Sequence, residues 1–269
     1  MNIIDFVEDP ELLGLSISPA QRTLLKATYG LGLTHEEHEL FRECTGRETI
    51  PSGGFSEVTC IAGARAGKDS RIAVPVLLFE AFFGNHDKHL AKGERAIVPL
   101  VAQDSRAAKI AFSYAREYLT HSSILGSQIE KILATEITLS NRMTIAVFPC
   151  THRSLRGWSI PCGVLDELAY FRLEGAADSD VEIQTSIRRG MLSFPKPKLV
   201  KISTPYMRSG VLYEDFRRSY AQEDPDRLVW RASSRLMNPT LTAERLEQEK
   251  RLDPVRYSRE YEAAFTEDV

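Results

Sequence analysis

The four cysteines, Cys44, Cys60, Cys150 and Cys162, include no CxxC pair. That excludes a zinc knuckle and a dithiol redox site, and leaves buried free thiols in a reducing compartment. No apolar run approaches the roughly 20 residues needed to cross a bilayer. The N-terminal stretch MNIIDFVEDPELL is acidic and lacks the basic-then-apolar layout of a signal peptide. A cytoplasmic protein with no membrane partner is therefore expected. Basic charge is not in excess either: 34 Lys and Arg stand against 37 Asp and Glu, a net charge of −3. A surface built for tight, independent nucleic-acid binding is excluded, but a local basic patch or a ring that pools weak sites is not. Internal repeats and low-complexity stretches are missing too. His35 and His38 share a helix face but have no third ligand at a convincing spacing, so no metal site is expected there.

What is present is an alternation of short apolar blocks with amphipathic ones, the pattern of an α/β protein. Glu57 to Ala62 reads as a buried strand running into a glycine-containing turn. The apolar segment after Lys68, RIAVPVLLFEAFF, reads as a core helix with Pro75 near its start. Strands are expected at Ala96–Ala102, Glu136–Leu139, Thr144–Phe148, Ile160–Leu165, Lys198–Ile202 and Leu228–Ala232. Helices are expected from about Asp104 to Leu119, with Asp104 or Ser105 as N-cap, and near Val181–Leu192 and Leu212–Gln222. Beyond Gly210 the composition becomes more charged. This places a boundary between a core of residues 1–210 and a smaller unit of residues 211–269.

Between the first strand and its helix lies Gly63-Ala64-Arg65-Ala66-Gly67-Lys68-Asp69-Ser70. Small residues there let backbone amides close around phosphate oxygens, the helix start favours negative charge, and Lys68 supplies a point charge to β- and γ-phosphates. Two positions depart from GxxxxGK[ST]: Ala62 stands at the first glycine, with Gly63 beside it, and Asp69 stands where a Mg²⁺-binding hydroxyl is usual. Either Asp69 or Ser70 is then the metal ligand. Downstream, Pro161-Cys162-Gly163-Val164-Leu165 leads into Asp166-Glu167, an apolar strand ending in two acids. In phosphate-loop NTPases the first acid of such a pair holds Mg²⁺, and the second can polarise the attacking water. The two motifs together point to an ATPase.

Ser203-Thr204-Pro205 ends another buried strand and would lie near both motifs if the strands are parallel neighbours. Upstream, Ser18-Pro19-Ala20-Gln21 opens a helix. The Gln21 amide suits the N6/N7 edge of adenine, and equally suits a plain helix start.

The order of these motifs resembles that of the ATPase domain of the large terminase subunit, the DNA-packaging motor of tailed bacteriophages. The resemblance rests on Gln21, Gly63 to Lys68, Ser154-Leu155-Arg156-Gly157, Val164 to Phe171, and Ile202 to Pro205 with Gly210. It also rests on the closing run Arg256-Tyr257-Ser258-Arg259-Glu260-Tyr261-Glu262-Ala263-Ala264-Phe265. It implies a RecA-like P-loop NTPase fold: a three-layer sandwich with a mainly parallel central sheet and a small C-terminal lid-like subdomain. By position, it implies that Gly63 to Ser70 bind ATP, with Lys68 and Arg65 on the nucleotide and Gln21 on adenine. Asp166 would organise Mg²⁺, Glu167 would be the catalytic glutamate, and Ser203 and Thr204 would couple hydrolysis to movement. Arg156 would be an arginine finger given to a neighbouring subunit, with Arg153 competing for that role.

The resemblance further implies double-stranded DNA as a partner, with Lys131 and Arg142 as weak candidates for facing it. It implies a homo-oligomeric ring, a pentamer on the portal protein, with the small terminase subunit and the cytoplasm of a bacterial host as its setting. A nuclease domain follows in the family, so the chain reads either as an ATPase-only piece or as a short relative. Nuclease activity is not expected within it. A helicase-like ATPase without a ring, or a nucleotide-binding scaffold without turnover, are the alternative readings.

Overall fold

A computed structural model describes residues 1–150, 155–171 and 179–265. The strands are β1 (Glu57–Ala62), β2 (Ala96–Ala102), β3 (Ile129–Ile132), β4 (Glu136–Leu139), β5 (Met143–Pro149), β6 (Cys162–Asp166), β7 (Lys198–Ser203) and β8 (Arg227–Ala232). The helices before β6 are α1 (Ile3–Glu8), α2 (Pro19–Thr28), α3 (His35–Thr45), α4 (Val74–Phe83), α5 (Ser105–His121) and α6 (Ser123–Gly126). After it come α7 (Ser179–Met191), α8 (Gly210–Ser219), α9 (Ser234–Met237), α10 (Ala243–Leu252) and α11 (Pro254–Tyr261).

The eight strands form one sheet in the order β3-β4-β5-β2-β6-β7-β1-β8. It is mixed and mostly parallel. β2 runs parallel to both β5 and β6, and β1 runs parallel to β8, while β3, β4 and β5 form an antiparallel meander. Interior strands in such a sheet are covered on both faces, so they read as unbroken apolar runs. All seven residues of β2 are buried, as are all five of β6.

Two compact units divide the chain. The first holds Met1–Ser16, Ala73–Asp166 and Phe171–Val200; the second holds Ile17–Ile72, Glu167–Tyr170 and Lys201–Val269. In the first, α4 is apolar apart from Glu80, which pairs with His86, and is buried from Val74 to Ala81. A helix of that kind must sit inside a core, and α4 packs against α1, α5, β5 and β6. Phe6 of α1 meets Phe79 and Phe83 at ring-centroid distances of 5.6 and 5.4 Å. Asp104 caps α5 through the amides of Arg106 and Ala107.

In the second unit, α3 and α8 pack on β8, over the fully buried Trp230. Lys201 is buried at the level of β1, where it pairs with Glu57 at 3.2 Å and with Asp215, which also accepts from Thr59 Oγ1 at 3.0 Å. Residues beyond 210 thus supply a strand of the sheet as well as the helices that follow it. β8 ends level with β1: Ala62 is the register partner of Ala232. Whatever follows β8 therefore emerges beside the loop that follows β1. Among the described residues, no helix is long and apolar enough to cross a membrane.

Candidate phosphate-binding site

The loop after β1 carries positive φ angles at alternate residues, +61° at Arg65 and +76° at Gly67. Alternation of this kind turns successive amides toward one side, the geometry of an anion nest. Arg65 is costly there, because a non-glycine residue in the left-handed region is held by its surroundings rather than by preference. Gly63 is required for a different reason. A Cβ on it would come 2.2 Å from Ser234 Oγ and 2.8 Å from the carbonyl oxygens of Glu260 and Tyr261.

Turning amides inward turns carbonyls outward, and each of these finds a donor. Lys68 Nζ donates to the carbonyls of Ala62 and Gly63 at 3.1 and 3.2 Å. Ser234 Oγ donates to Ala64 O at 2.6 Å, Asn238 Nδ2 to Arg65 O at 2.9 Å, and Gln21 Nε2 to Ala66 O at 2.9 Å. The Gly67 carbonyl takes the Arg71 amide at 2.9 Å, and the Ala64 amide donates to Glu260 O at 2.6 Å.

The loop runs into a wide π-helical turn, Lys68–Ala73, before α4 begins. Such turns are uncommon and recur at functional sites. Asp69 and Ser70 both lie in it. Asp69 Oδ1 is buried and has no hydrogen-bond partner among the described residues, an expensive state for a carboxylate oxygen unless a cation meets it. The residue at the departed position therefore fits a divalent metal.

Lys68 is buried, and its ammonium also lies 3.0 Å from Thr204 Oγ1 and 3.7 Å from Glu167 Oε1. Glu167 itself has φ +53°, an outlier of the kind that collects at active sites. Its Oε2 accepts the Thr204 amide at 3.2 Å and lies 3.2 Å from Ser203 Oγ. The strand-end hydroxyls therefore hold the lysine and the glutamate together. After Glu167, a short turn places Tyr170 against Tyr206, with ring centroids 5.0 Å apart and the Arg259 guanidinium over the Tyr206 ring. Burial, then the charges of Glu260 and Glu167, push the Tyr170 phenol up to about 12.

Asp166, the last residue of β6, is buried and precedes Glu167 directly. Arg156 is exposed in the connection between β5 and β6; Arg153 and Ser154 lie outside the described residues. Lys131 is exposed on β3. Arg142 has φ +68° and donates through its guanidinium to the carbonyls of Ala91 and Asp87, so that side chain fastens the neighbouring loop. All four cysteines are free and buried, and burial pushes the Cys60 thiol, at the strand below the loop, up to about 12. Gln21 is buried with both ends of its amide engaged: Oε1 accepts the Ser18 amide at 3.0 Å while Nε2 holds Ala66.

Ser234 and Asn238 carried no sequence signal of their own. The capping pattern Ser18-x-x-Gln21, however, announces a second employment for Gln21.

A buried lysine on a carbonyl-pinned glycine loop between strand and helix, facing a strand-end glutamate, defines a P-loop domain. The chain belongs to the family described as "Uncharacterized protein MJ0330, N-terminal P-loop domain", whose model matches residues 1–263. Its fold is that of the large-terminase ATPase domains. The large terminase of bacteriophage HK97 superposes with a TM-score of 0.69 at 15% identity, covering 98% of this chain and 55% of that one. The ATPase domain of the Thermus phage P74-26 large terminase gives 0.61 at 17% identity, covering 90% of this chain and 97% of that one. The large terminase of another thermophilic bacteriophage, in complex with ATP-γ-S, gives 0.58 at 11% identity, covering 93% of this chain and 53% of that one. The chain thus spans about half the length of the HK97 protein and of the ATP-γ-S-bound terminase. No curated protein matches it.

Proposed function

We propose that this chain binds and hydrolyses ATP with Mg²⁺, and that hydrolysis drives double-stranded DNA into a viral procapsid. The observation that carries the reading is the meeting of Lys68, Glu167 and Thr204 at the end of a nest-shaped loop. The loop amides and Lys68 bind the triphosphate and neutralise charge on the transferring phosphoryl. Glu167, oriented by the Thr204 amide and Ser203, positions a water for in-line attack and draws its proton, giving ADP and phosphate. By their places in the two motifs, Asp166 and Asp69, whose Oδ1 has no hydrogen-bond partner among the described residues, are the residues that would hold Mg²⁺. When bound, the metal supplies charge neutralisation along the phosphates. The thermophilic-phage terminase bound to ATP-γ-S supports nucleotide as the ligand.

Arg156, exposed and cationic, is the residue offered to a neighbouring subunit's nucleotide, so the active form is a homo-oligomeric ring. The terminase fold supports a portal protein and a small terminase subunit as further partners. Lys131 remains the stronger DNA candidate of the two, because Arg142 is employed in fastening a loop.

Phosphate release from ATP, measured with and without Mg²⁺, tests the activity. Metal-dependent turnover that vanishes in Lys68→Ala supports it; turnover undiminished in Lys68→Ala contradicts it.

A further inference from the structure

An amide cradle is useful only if it already has its shape when a phosphate arrives. Otherwise, binding must supply the free energy of ordering the loop. The shape here is set from outside. Three consecutive carbonyls, those of Ala64, Arg65 and Ala66, are each taken by a side-chain donor from a different part of the second unit: Ser234 in α9, Asn238 just after it, and Gln21 in α2. Topology brings them there. Because β1 and β8 are parallel and end level at Ala62 and Ala232, the chain after β8 runs alongside the loop. Gly63, which no side chain could replace against Ser234 Oγ, leaves the room for that approach.

Gln21 is the informative member. Reading adenine bidentately takes both the oxygen and the nitrogen of a side-chain amide on one edge. Here the capping box fixes the orientation: Oε1 accepts the Ser18 amide at 3.0 Å, so Nε2 faces Ala66 O at 2.9 Å. Nε2 is also the nearest atom, at 2.9 Å, to a Cβ built on Gly67, so the amide packs directly on the loop.

We infer that Gln21, Ser234 and Asn238 are positioning residues forming an outer brace for the phosphate loop, and that Gln21 acts on the triphosphate through Ala66 rather than on the base. The inference rests on the proposed nucleotide site and deepens it. It makes a distinctive statement about ligands: loss of the brace weakens every triphosphate equally, whatever base it carries or lacks.

The test compares affinities of the full chain for fluorescent ATP and GTP analogues, with inorganic tripolyphosphate as a competitor. The proteins are wild type, Gln21→Met, Asn238→Ala and Lys68→Ala, measured well below their unfolding midpoints so that lost stability does not enter. The expected result is that Gln21→Met weakens ATP, GTP and tripolyphosphate by one common factor of about tenfold, the effect of one buried carbonyl left without its donor. Asn238→Ala, whose bond is exposed, should show the same base-independence with a smaller factor. It keeps the test decisive should Gln21→Met fail to fold. A loss confined to ATP would overturn the inference in favour of base reading, and unchanged affinities in both variants would overturn it outright. If wild type and Lys68→Ala bind tripolyphosphate equally poorly, it is the underlying nucleotide site that fails, an outcome distinct from either.

Discussion

Thr204 Oγ1 lies 3.0 Å from Lys68 Nζ, while the Thr204 amide donates to the Glu167 carboxylate at 3.2 Å. One residue just past the end of β7 thus touches the cation that binds phosphate and the anion assigned to activate water. Thr204→Val keeps the volume and the amide but removes the hydroxyl. Hydrolysis should fall about tenfold, the scale of one hydrogen bond to a charged group, with the unfolding midpoint little changed. Steady-state phosphate release checks it, and an unaltered rate would leave Thr204 with a packing role only.

Asp69 stands where the P-loop pattern has a hydroxyl, and its buried Oδ1 has no hydrogen-bond partner among the described residues. Binding of Mn²⁺ as a Mg²⁺ surrogate, followed by electron paramagnetic resonance with ADP present, should weaken at least about tenfold in Asp69→Ala, as expected for a lost metal ligand. Asp69→Ser should recover part of it by restoring the usual group. Undiminished Mn²⁺ binding in Asp69→Ala would move the assignment to Ser70.

Arg156 is exposed and has no role within its own subunit in the proposed mechanism. Arg156→Ala and Glu167→Gln should each be inactive alone. Mixed under assembling conditions, they should regain part of the activity, since an intact arginine then meets an intact glutamate across an interface. Supply of such a finger is worth about a thousandfold or more in rate. Mixtures as inactive as their components would remove Arg156 from the site.

Much of this arrangement is legible in the residues because its cause is local. β2 is an unbroken apolar run, Asp104 is an N-cap, and the glycines around Lys68 mark a turn between strand and helix. The parts that are not legible have non-local or patternless causes. β3 is an exposed edge strand with no alternation to detect. α1 is six residues long, too short for a helical period to show. Ser234 and Asn238 are ordinary polar residues in sequence, and only the parallel pairing of β8 with β1 delivers them to the loop. Gln21 sits between these cases: its position marks it, but its partner Ala66 is fixed by the tertiary fold.

Lys201 is another buried cation, with Glu57 at 3.2 Å and Asp215 in contact. Arg227 also lies 3.8 Å from Glu57, but removing Lys201 takes the close buried ammonium from both carboxylates, so Lys201→Met should destabilise the fold by about 3 kcal/mol. Urea unfolding followed by circular dichroism checks this; an unchanged midpoint would mean that solvent already screens those carboxylates.

In the proposed mechanism Glu167 acts in chemistry and Lys68 in binding, and Glu167→Gln separates the two. Glutamine keeps an oxygen to accept the Thr204 amide but can neither draw a proton nor pair with Lys68. ATP affinity and Mg²⁺-dependent phosphate release should be measured side by side on this variant. Binding should be at least as tight as in the wild type, with turnover reduced about a hundredfold or more, as expected for a lost general base. Turnover persisting near the wild-type rate, with binding intact, would contradict a chemical role for Glu167.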